Sequence, residues 1–527
     1  MAMTPTESAV TQKWWVLGRG DIDTTIAQVG FNLAQMLIPV FLLIPVGIPA
    51  GFSVSHLVPG YALGFLVGSL GFVQLAVALS RREKRQNVTA QVYGNNVPAI
   101  IAYTLSIMLP VWLQTHDATA AWRTGAAAVA WTGIIKLAAA PFAGLIRRFI
   151  PAPASMTVFG AAMYSYLAMV LLQRIFDQPL VGLIALAIVA TSVLANIPVT
   201  NLRIPPFIVA WIVPLAVGLG VGYIKPVWPG VSAGLPIAVL PAPLQAMGLA
   251  LPYLSVIAPM AIYHVLQDIA SVAGGTAAGD DYDVRGVLAW DGLGTLVCGM
   301  AGSVVAPVVY AMLPPYKAMG ARIGYAVWTP IIILAVVMSG LSLFMAQLFP
   351  WPILAAMIAY VSVGVGTATL RRVDAKYIAV VLLGFVLPAG AVVAAVMNSA
   401  LPALQLSAAN PGVQTALNRS IYWSSLQGLG NGFLFLVLVV ASMMTETIDR
   451  RFGRAALWCA MAAVFSWFGL MHSAVIRWAA QPSYASGWLA AGVIVYSAQW
   501  WGGKALPAPQ QHSAMPAEVK HQARTAG

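Results

Sequence analysis

Apolar positions in this chain come in long unbroken blocks, with short polar stretches between them. Runs of about 20 apolar residues, the length that crosses a bilayer as a helix, recur near 26–46, 57–80, 97–113, 124–146, 155–173, 179–197, 206–224, 249–274, 287–302, 304–325, 327–349, 352–369, 377–398, 428–446, 455–473 and 486–502, about 16 segments in all. The pattern predicts an all-α polytopic membrane protein. A Pro- and Gly-rich stretch, KPVWPGVSAGLPIAVLPAPLQA (225–246), separates two halves of seven segments each. The expected organisation is a cytoplasmic N-terminus (1–25), a first seven-span repeat (26–224) and an external connector (225–248). A second repeat (249–446), additional C-terminal spans (447–502) and a disordered cytoplasmic tail (503–527) follow.

The third segment of each half breaks the pattern. VTAQVYGNNVPAIIAYTLSIMLP (88–110) starts β-like, passes Gly94, Asn95 and Asn96, then meets Pro98 in what would be the first turn of a helix. AGSVVAPVVYAMLPPYKAMGAR (301–322) also starts extended and then meets Pro314 and Pro315. An odd number of spans per half makes the two repeats inverted in the membrane. Broken segments at matching positions of inverted repeats point to a binding site at the membrane midplane. The plainer alternative is a pair of proline kinks.

Composition supports the membrane assignment and removes other classes. The chain is 60% hydrophobic and 8% charged, against about 25% charged for a soluble domain. The net charge of +12 does not point to nucleic acid, because basic residues of membrane proteins gather in cytoplasmic loops. RREKR (81–85), Arg147, Arg148, Arg371, Arg372, Lys376, Arg450, Arg451 and Arg454 all follow even-numbered segments. That parity places both termini in the cytoplasm of a protein integral to the plasma (inner) membrane. The first residues, MAMTPTESAV, lack the apolar core of a cleavable signal. Cys298 and Cys459 sit in apolar runs and form neither a disulfide framework nor a metal motif. No cofactor or metal is expected. No paired intramembrane aspartates, HExxH or Ser/His constellation suggests an enzyme.

The segment around YHVLQDIASVAGG (263–275) carries the candidate chemistry. His264, Gln267, Asp268 and Ser271 fall at i, i+3, i+4 and i+7, one polar stripe on an apolar helix. A charge at mid-bilayer costs at least about 2.5 kcal/mol, so the stripe has to face protein or a water-filled cavity. It reads either as a hydrogen-bonded helix–helix seam or as a substrate and proton site, since His titrates near neutral pH and Asp268 could exchange protons. Asn32 and Gln35 in the first span, and Lys317 after the Pro pair, are further candidates. Lys136, deep in the fourth span, reads as a partner for a charge across the bundle, and GDDYD (279–283) as a solvated loop.

At these residues the chain resembles the nucleobase–ascorbate transporter family, nucleobase:cation symporter 2, whose wider fold group includes the SulP anion transporters. The run QDIASVAGGTAAGDDYDVRGVLAWDGLGTLVCGMAGS (267–303) fits the family's carboxylate, then its Arg…Leu…Asp-Gly motif at Arg285, Leu288, Asp291 and Gly292, then Gly299, Gly302 and Ser303. FNLAQML (31–37) is similar to the family's first-span motif, and RRFIPAPASMTVFGAAM (147–163) to its fifth-span entry. The resemblance covers about residues 25–445. It implies a 14-span core with a core domain and a gate domain, dimerisation through the gate, and elevator-like transport driven by protons or sodium. The implied substrate is a purine- or pyrimidine-like heterocycle. Substrate contacts would come from Asn32, Gln35, Asn95, Asn96, Gln267, Tyr310 and Lys317, and proton coupling from Asp268 and His264. The alternative is a SulP-like transporter or channel for a small inorganic or carboxylate anion.

Overall fold

The computed structural model describes residues 15–191, 197, 206–226, 241–404, 406 and 410–501. Most of the expected connector and the expected C-terminal tail lie outside the described residues. Among the described residues, eight helices are long and apolar enough to cross a membrane, or nine if the bent pair Trp423–Gly430 and Phe433–Ile448 makes one span. The chain is a polytopic membrane protein. Among the described residues, fewer helices are long enough to span than the about 16 segments expected. The apolar run near 304–325 holds no spanning helix, and the run near 327–349 is divided into Gly324–Met338 and Ser342–Leu348.

The helices used below are α1 (Arg19–Met36), α2 (Ala50–Glu83), α3 (Val97–Thr115), α4 (Ala118–Ala139), α5 (Ala152–Ile175) and α6 (Leu254–Ala277). They continue with α7 (Val284–Met300), α8 (Leu313–Ala318), α9 (Gly324–Met338), α10 (Trp351–Arg372) and α11 (Ala375–Asn398). The last are α12 (Trp423–Gly430), α13 (Phe433–Ile448), α14 (Phe452–Phe468) and α15 (Pro482–Ser497). Side chains mark several of the starts. Asn96 accepts from the Ala99 N–H (3.0 Å) at the start of α3, where Pro98 occupies the first turn. Asp117 accepts from the Thr119 N–H (2.8 Å) before α4, and Asp283 from the Arg285 and Gly286 N–H groups before α7.

Both broken segments contain strand, so the fold is not purely helical. β1 (Val92–Asn95) and β2 (Pro307–Tyr310) pair antiparallel, with Val92 opposite Tyr310 and Asn95 opposite Pro307. Valines and tyrosines favour the extended backbone, and Pro307 and Pro314 stop a helix from running through β2. The pairing satisfies backbone N–H and C=O groups that a helix would have satisfied internally, which is the condition for irregular backbone inside a membrane protein.

α7 packs between α2 and α4, and small residues set how close they come. On α2, Gly60, Gly64, Gly68 and Gly71 form one face against Ala301, Cys298, Tyr93 and Trp290. On α7, a Cβ at Gly299 would lie 2.2 Å from the Ala130 backbone nitrogen of α4. Backbone cannot retreat as a flexible side chain can. Gly299→Ala is therefore expected to force α4 and α7 apart and to cost about 1–3 kcal/mol, read as a lower thermal unfolding midpoint in detergent. Gly453→Ala, where a Cβ would meet nothing within 4 Å, is the control that leaves the midpoint in place.

A second group of helices, α5, α10, α11 and α13, packs together beside the first. At one end of α13 the Asp449 carboxylate accepts from Lys376 Nζ (2.7 Å) and from the Tyr377 hydroxyl (2.6 Å). The Lys376 ammonium and the Tyr377 hydroxyl hold the Asp449 carboxyl below its usual value. A carboxyl with a depressed folded-state pKa stabilises the fold above its unfolded value, about pH 4, and loses that contribution as pH falls through the folded value. The stability difference between the parent and Asp449→Asn is thus expected to vanish in acid. Lys376 is half exposed, so the difference is at most about 1 kcal/mol at neutral pH. Thermal melts of both proteins across the acid range check it. Finally, α14 and α15 form a hairpin laid on α13.

Candidate functional site

The polar stripe of α6 faces β2. His264, Gln267, Asp268 and Ser271 are all buried. Three of them hold a single residue of the broken segment. Asp268 Oδ1 accepts from the Val309 N–H (3.2 Å), while Ser271 Oγ (2.9 Å) and Gln267 Nε2 (3.4 Å) donate to the Val309 carbonyl. Gln267 Oε1 also accepts from Asn96 Nδ2 (3.2 Å), which ties α6 to the other broken segment. The stripe thus joins both interruptions, and its spacing predicts that it meets protein rather than lipid.

Behind β2 lies an intramembrane ion pair. Lys136 of α4 and Asp291 of α7 are both 0% exposed, and their charged groups are in direct contact. Lys136 Nζ also donates to Thr295 Oγ1 (2.9 Å), to the Pro307 carbonyl (3.2 Å) and to His264 Nδ1 (3.3 Å). An ammonium has donors only, so His264 Nδ1 accepts and the neutral ring carries its proton on Nε2. That Nε2 has no hydrogen-bond partner among the described residues, nor does Asp268 Oδ2. The Asp268 carboxyl faces Asp291 and Lys136. Four titratable groups from three helices therefore meet at the end of β2, and two of them keep a free polar atom.

On the other side of the strands the contacts are neutral. Tyr310 donates from its hydroxyl toward Gln35 Oε1 (2.8 Å) and the Asn95 carbonyl, and its ring packs edge-on against Phe31. Asn95 Nδ2 donates to the Asn32 carbonyl (3.1 Å). Asn32 Nδ2 donates to the Gln28 carbonyl (2.9 Å), and its Oδ1 accepts from the Tyr61 hydroxyl (3.1 Å). Asn32 is committed within the protein, whereas Asn95 Oδ1 lacks a partner. Tyr310 and Phe31 are only half-buried, so the cluster opens on their side.

Lys317 is not with the others. It pairs with Asp280 Oδ1 (2.7 Å), as does Arg85 Nη2 (2.8 Å), and the Thr89 N–H donates to Asp280 Oδ2 (3.1 Å). This corrects the expectation of a solvated GDDYD loop. Asp280 is 0% exposed and ties the chain just before β1 to the chain just after β2. Asp281 is exposed, and Asp283 caps α7. Sequence reasoning placed His264, Gln267 and Asp268 on one face and sent Lys136 to a partner across the bundle. It did not select Thr295, which stands one helical turn after Asp291, or Asp280.

No family model and no curated protein matches the chain. Solved structures do match in outline, among them the following two. The transmembrane domain of a cyanobacterium bicarbonate transporter, BicA, matches with TM-score 0.49 at 13% identity, over 73% of this chain and 98% of that one. The overall structure of SLC26A9 matches with TM-score 0.47 at 13% identity, over 70% of this chain. The chain spans less than two thirds of SLC26A9, at 62%.

The resemblance to nucleobase–ascorbate transporters is corrected by these findings. The matched structures are those of a bicarbonate transporter domain and SLC26A9, and no family model supports the motif reading. The chain itself shows why the motifs misled. The order Arg285, Leu288, Asp291, Gly292 is present, but Asp291 is consumed by Lys136. Where a side-chain clamp on a base would be needed after Tyr310, the chain has Met312, Leu313 and Pro314.

Proposed function

We propose that this chain is a secondary-active transporter of a small anion, inorganic or carboxylate, that takes up a proton with its cargo. The observation that carries the reading is Lys136, a lysine with 0% exposure whose ammonium is bonded to the carbonyl of the broken segment at Pro307. Ionisable residues at this depth belong to pathways or relays far more often than to lipid-facing surface, and broken segments are where transporters bind cargo.

Charge balance links the anion to the proton. Lys136 offsets Asp291, so Asp268, whenever it is ionised, adds a negative charge without a cation of its own. An anion entering beside an uncompensated carboxylate in a dry site is strongly disfavoured. It enters readily once Asp268 has taken a proton, and the unpartnered Asp268 Oδ2 is where that exchange would occur, since His264 Nε2 already bears a proton and its Nδ1 faces the Lys136 ammonium. Movement would be elevator-like. The glycine-packed block of α2, α4 and α7, with α6 and the strand pair, would carry the site past α5, α10, α11 and α13.

The test is uptake of labelled bicarbonate, sulfate, oxalate, uracil, xanthine and urate into proteoliposomes, with and without an inward proton gradient. Bicarbonate, the cargo named for the matched cyanobacterial protein, heads the panel. Anion uptake that the gradient accelerates is expected. Flux of a heterocycle with no anion flux would overturn the anion assignment, and anion flux indifferent to the gradient would overturn the coupling.

A further inference from the structure

A second polar cavity stands apart from this site. It has a volume of about 300 Å³ and opens where the α12–α13 bend meets the loop between α14 and α15. It lies at the end of α13 opposite the Lys376–Asp449 pair. The α14–α15 hairpin therefore supplies one wall, and the chain ahead of α13 supplies the other.

The walls are built and uncharged. Gln414, Gln427, Gln481 and Asn431 line the cavity, and no hydrogen bond of their side-chain amides to protein is formed among the described residues. Each amide offers both donors and an acceptor. His472 forms part of the floor, but both of its ring nitrogens are in use. Trp488 Nε1 donates to His472 Nε2 (3.1 Å), so Nδ1 carries the proton and donates to the Gly428 carbonyl (2.7 Å). The ring is locked neutral and stacks on Tyr484 at 4.1 Å between centroids. The Tyr484 hydroxyl sits so close to Gly428 that a Cβ there would lie 2.3 Å from it. No charged side chain lines the cavity among the described residues.

Four free amides, serine hydroxyls and a fixed aromatic ring without any charge do not suit an ion, whose desolvation would go uncompensated. They suit a neutral ligand that presents hydroxyls on its edges and C–H groups on its face. Apolar ligands find too many unpaired polar groups there. We infer that this cavity binds a neutral polyhydroxylated group the size of a single sugar ring, with Gln427 and Gln481 as its hydrogen-bonding arms and Tyr484 as its stacking face. Such a group can arrive as a free sugar or as the headgroup of a glycosyl diacylglycerol in the surrounding bilayer.

The experiment uses the full chain, purified in a detergent without a sugar headgroup. Methyl glucoside is titrated in one arm, and nanodiscs containing monoglucosyl diacylglycerol are compared with sugar-free nanodiscs in the other. Tryptophan fluorescence is the readout, since Trp488 bonds the floor histidine. A saturable response is expected. It should weaken by about tenfold for each arm removed in Gln427→Leu and Gln481→Leu, the loss of a hydrogen bond with its partner left unpaired. Gly428→Ala, which drives Tyr484 into the cavity, should abolish it. Elution volume and melting midpoint confirm that the variants fold. Response to the glucoside assigns a free sugar, and response only to the glycolipid assigns a headgroup. No saturable response to either probe, or equal responses in parent and both Gln variants, overturns the inference.

Discussion

Lys136→Met is expected to abolish uptake and to destabilise the protein by about 3–5 kcal/mol, the cost of leaving one member of a buried ion pair without the other. The ammonium is 0% exposed and has Asp291, Thr295, Pro307 and His264 within bonding distance, more acceptors than its three N–H groups. Its loss strands the Asp291 carboxylate and frees the carbonyl of the broken segment. The two effects can be separated. Lys136→Met combined with Asp291→Leu removes both charges, and such paired replacement by apolar side chains commonly restores stability. If the pair also supplies the fixed cation for cargo, the double variant melts near the parent midpoint yet carries no flux. Recovery of uptake together with stability would reduce the pair to a structural element and sink the assigned role of Lys136.

Asp268→Asn should leave the fold nearly intact and remove the coupling. The carboxamide oxygen can keep the bond from the Val309 N–H that Asp268 Oδ1 now accepts at 3.2 Å, so β2 stays pinned. What disappears is the ability to gain and lose a proton beside Lys136 and Asp291. Accumulation against a gradient is therefore expected to fall to the background of empty vesicles, while exchange of internal for external anion continues. The measurement is gradient-driven uptake set against counterflow in the same proteoliposome preparation. Unchanged accumulation would remove Asp268 as the proton carrier. Loss of both activities, with the melting midpoint preserved, would place Asp268 in cargo binding instead.

How far the chain alone revealed this site depends on the range of each interaction. His264, Gln267, Asp268 and Ser271 were visible as a group because helical periodicity is local, and an apolar helix with one polar stripe has to bury it. The breaks at 88–110 and 301–322 were visible because Gly, Asn and Pro interrupt otherwise continuous apolar runs. Their pairing as β1 and β2 was not, since register between residues 92–95 and 307–310 is set by contacts across the whole chain. Lys317 shows the same limit from the other side. It follows the second break in sequence, yet Asp280 draws it away from the strands, and a charge chooses its partner by distance in space.

Apolar run length and the scarcity of charged residues sufficed to make this a multi-span membrane protein, because transfer of apolar and charged groups into lipid is additive along the chain. The identity of the intramembrane charge cluster needed the packed structure. Lys136, Asp268 and Asp291 lie on three different helices, and only the glycine-set approach of α4 to α7 brings the ammonium onto the Asp291 carboxylate. In a low-dielectric interior the energy of such a pair changes steeply with separation, so packing decided where the charge could be stable and which atoms, Asp268 Oδ2 and His264 Nε2, were left free.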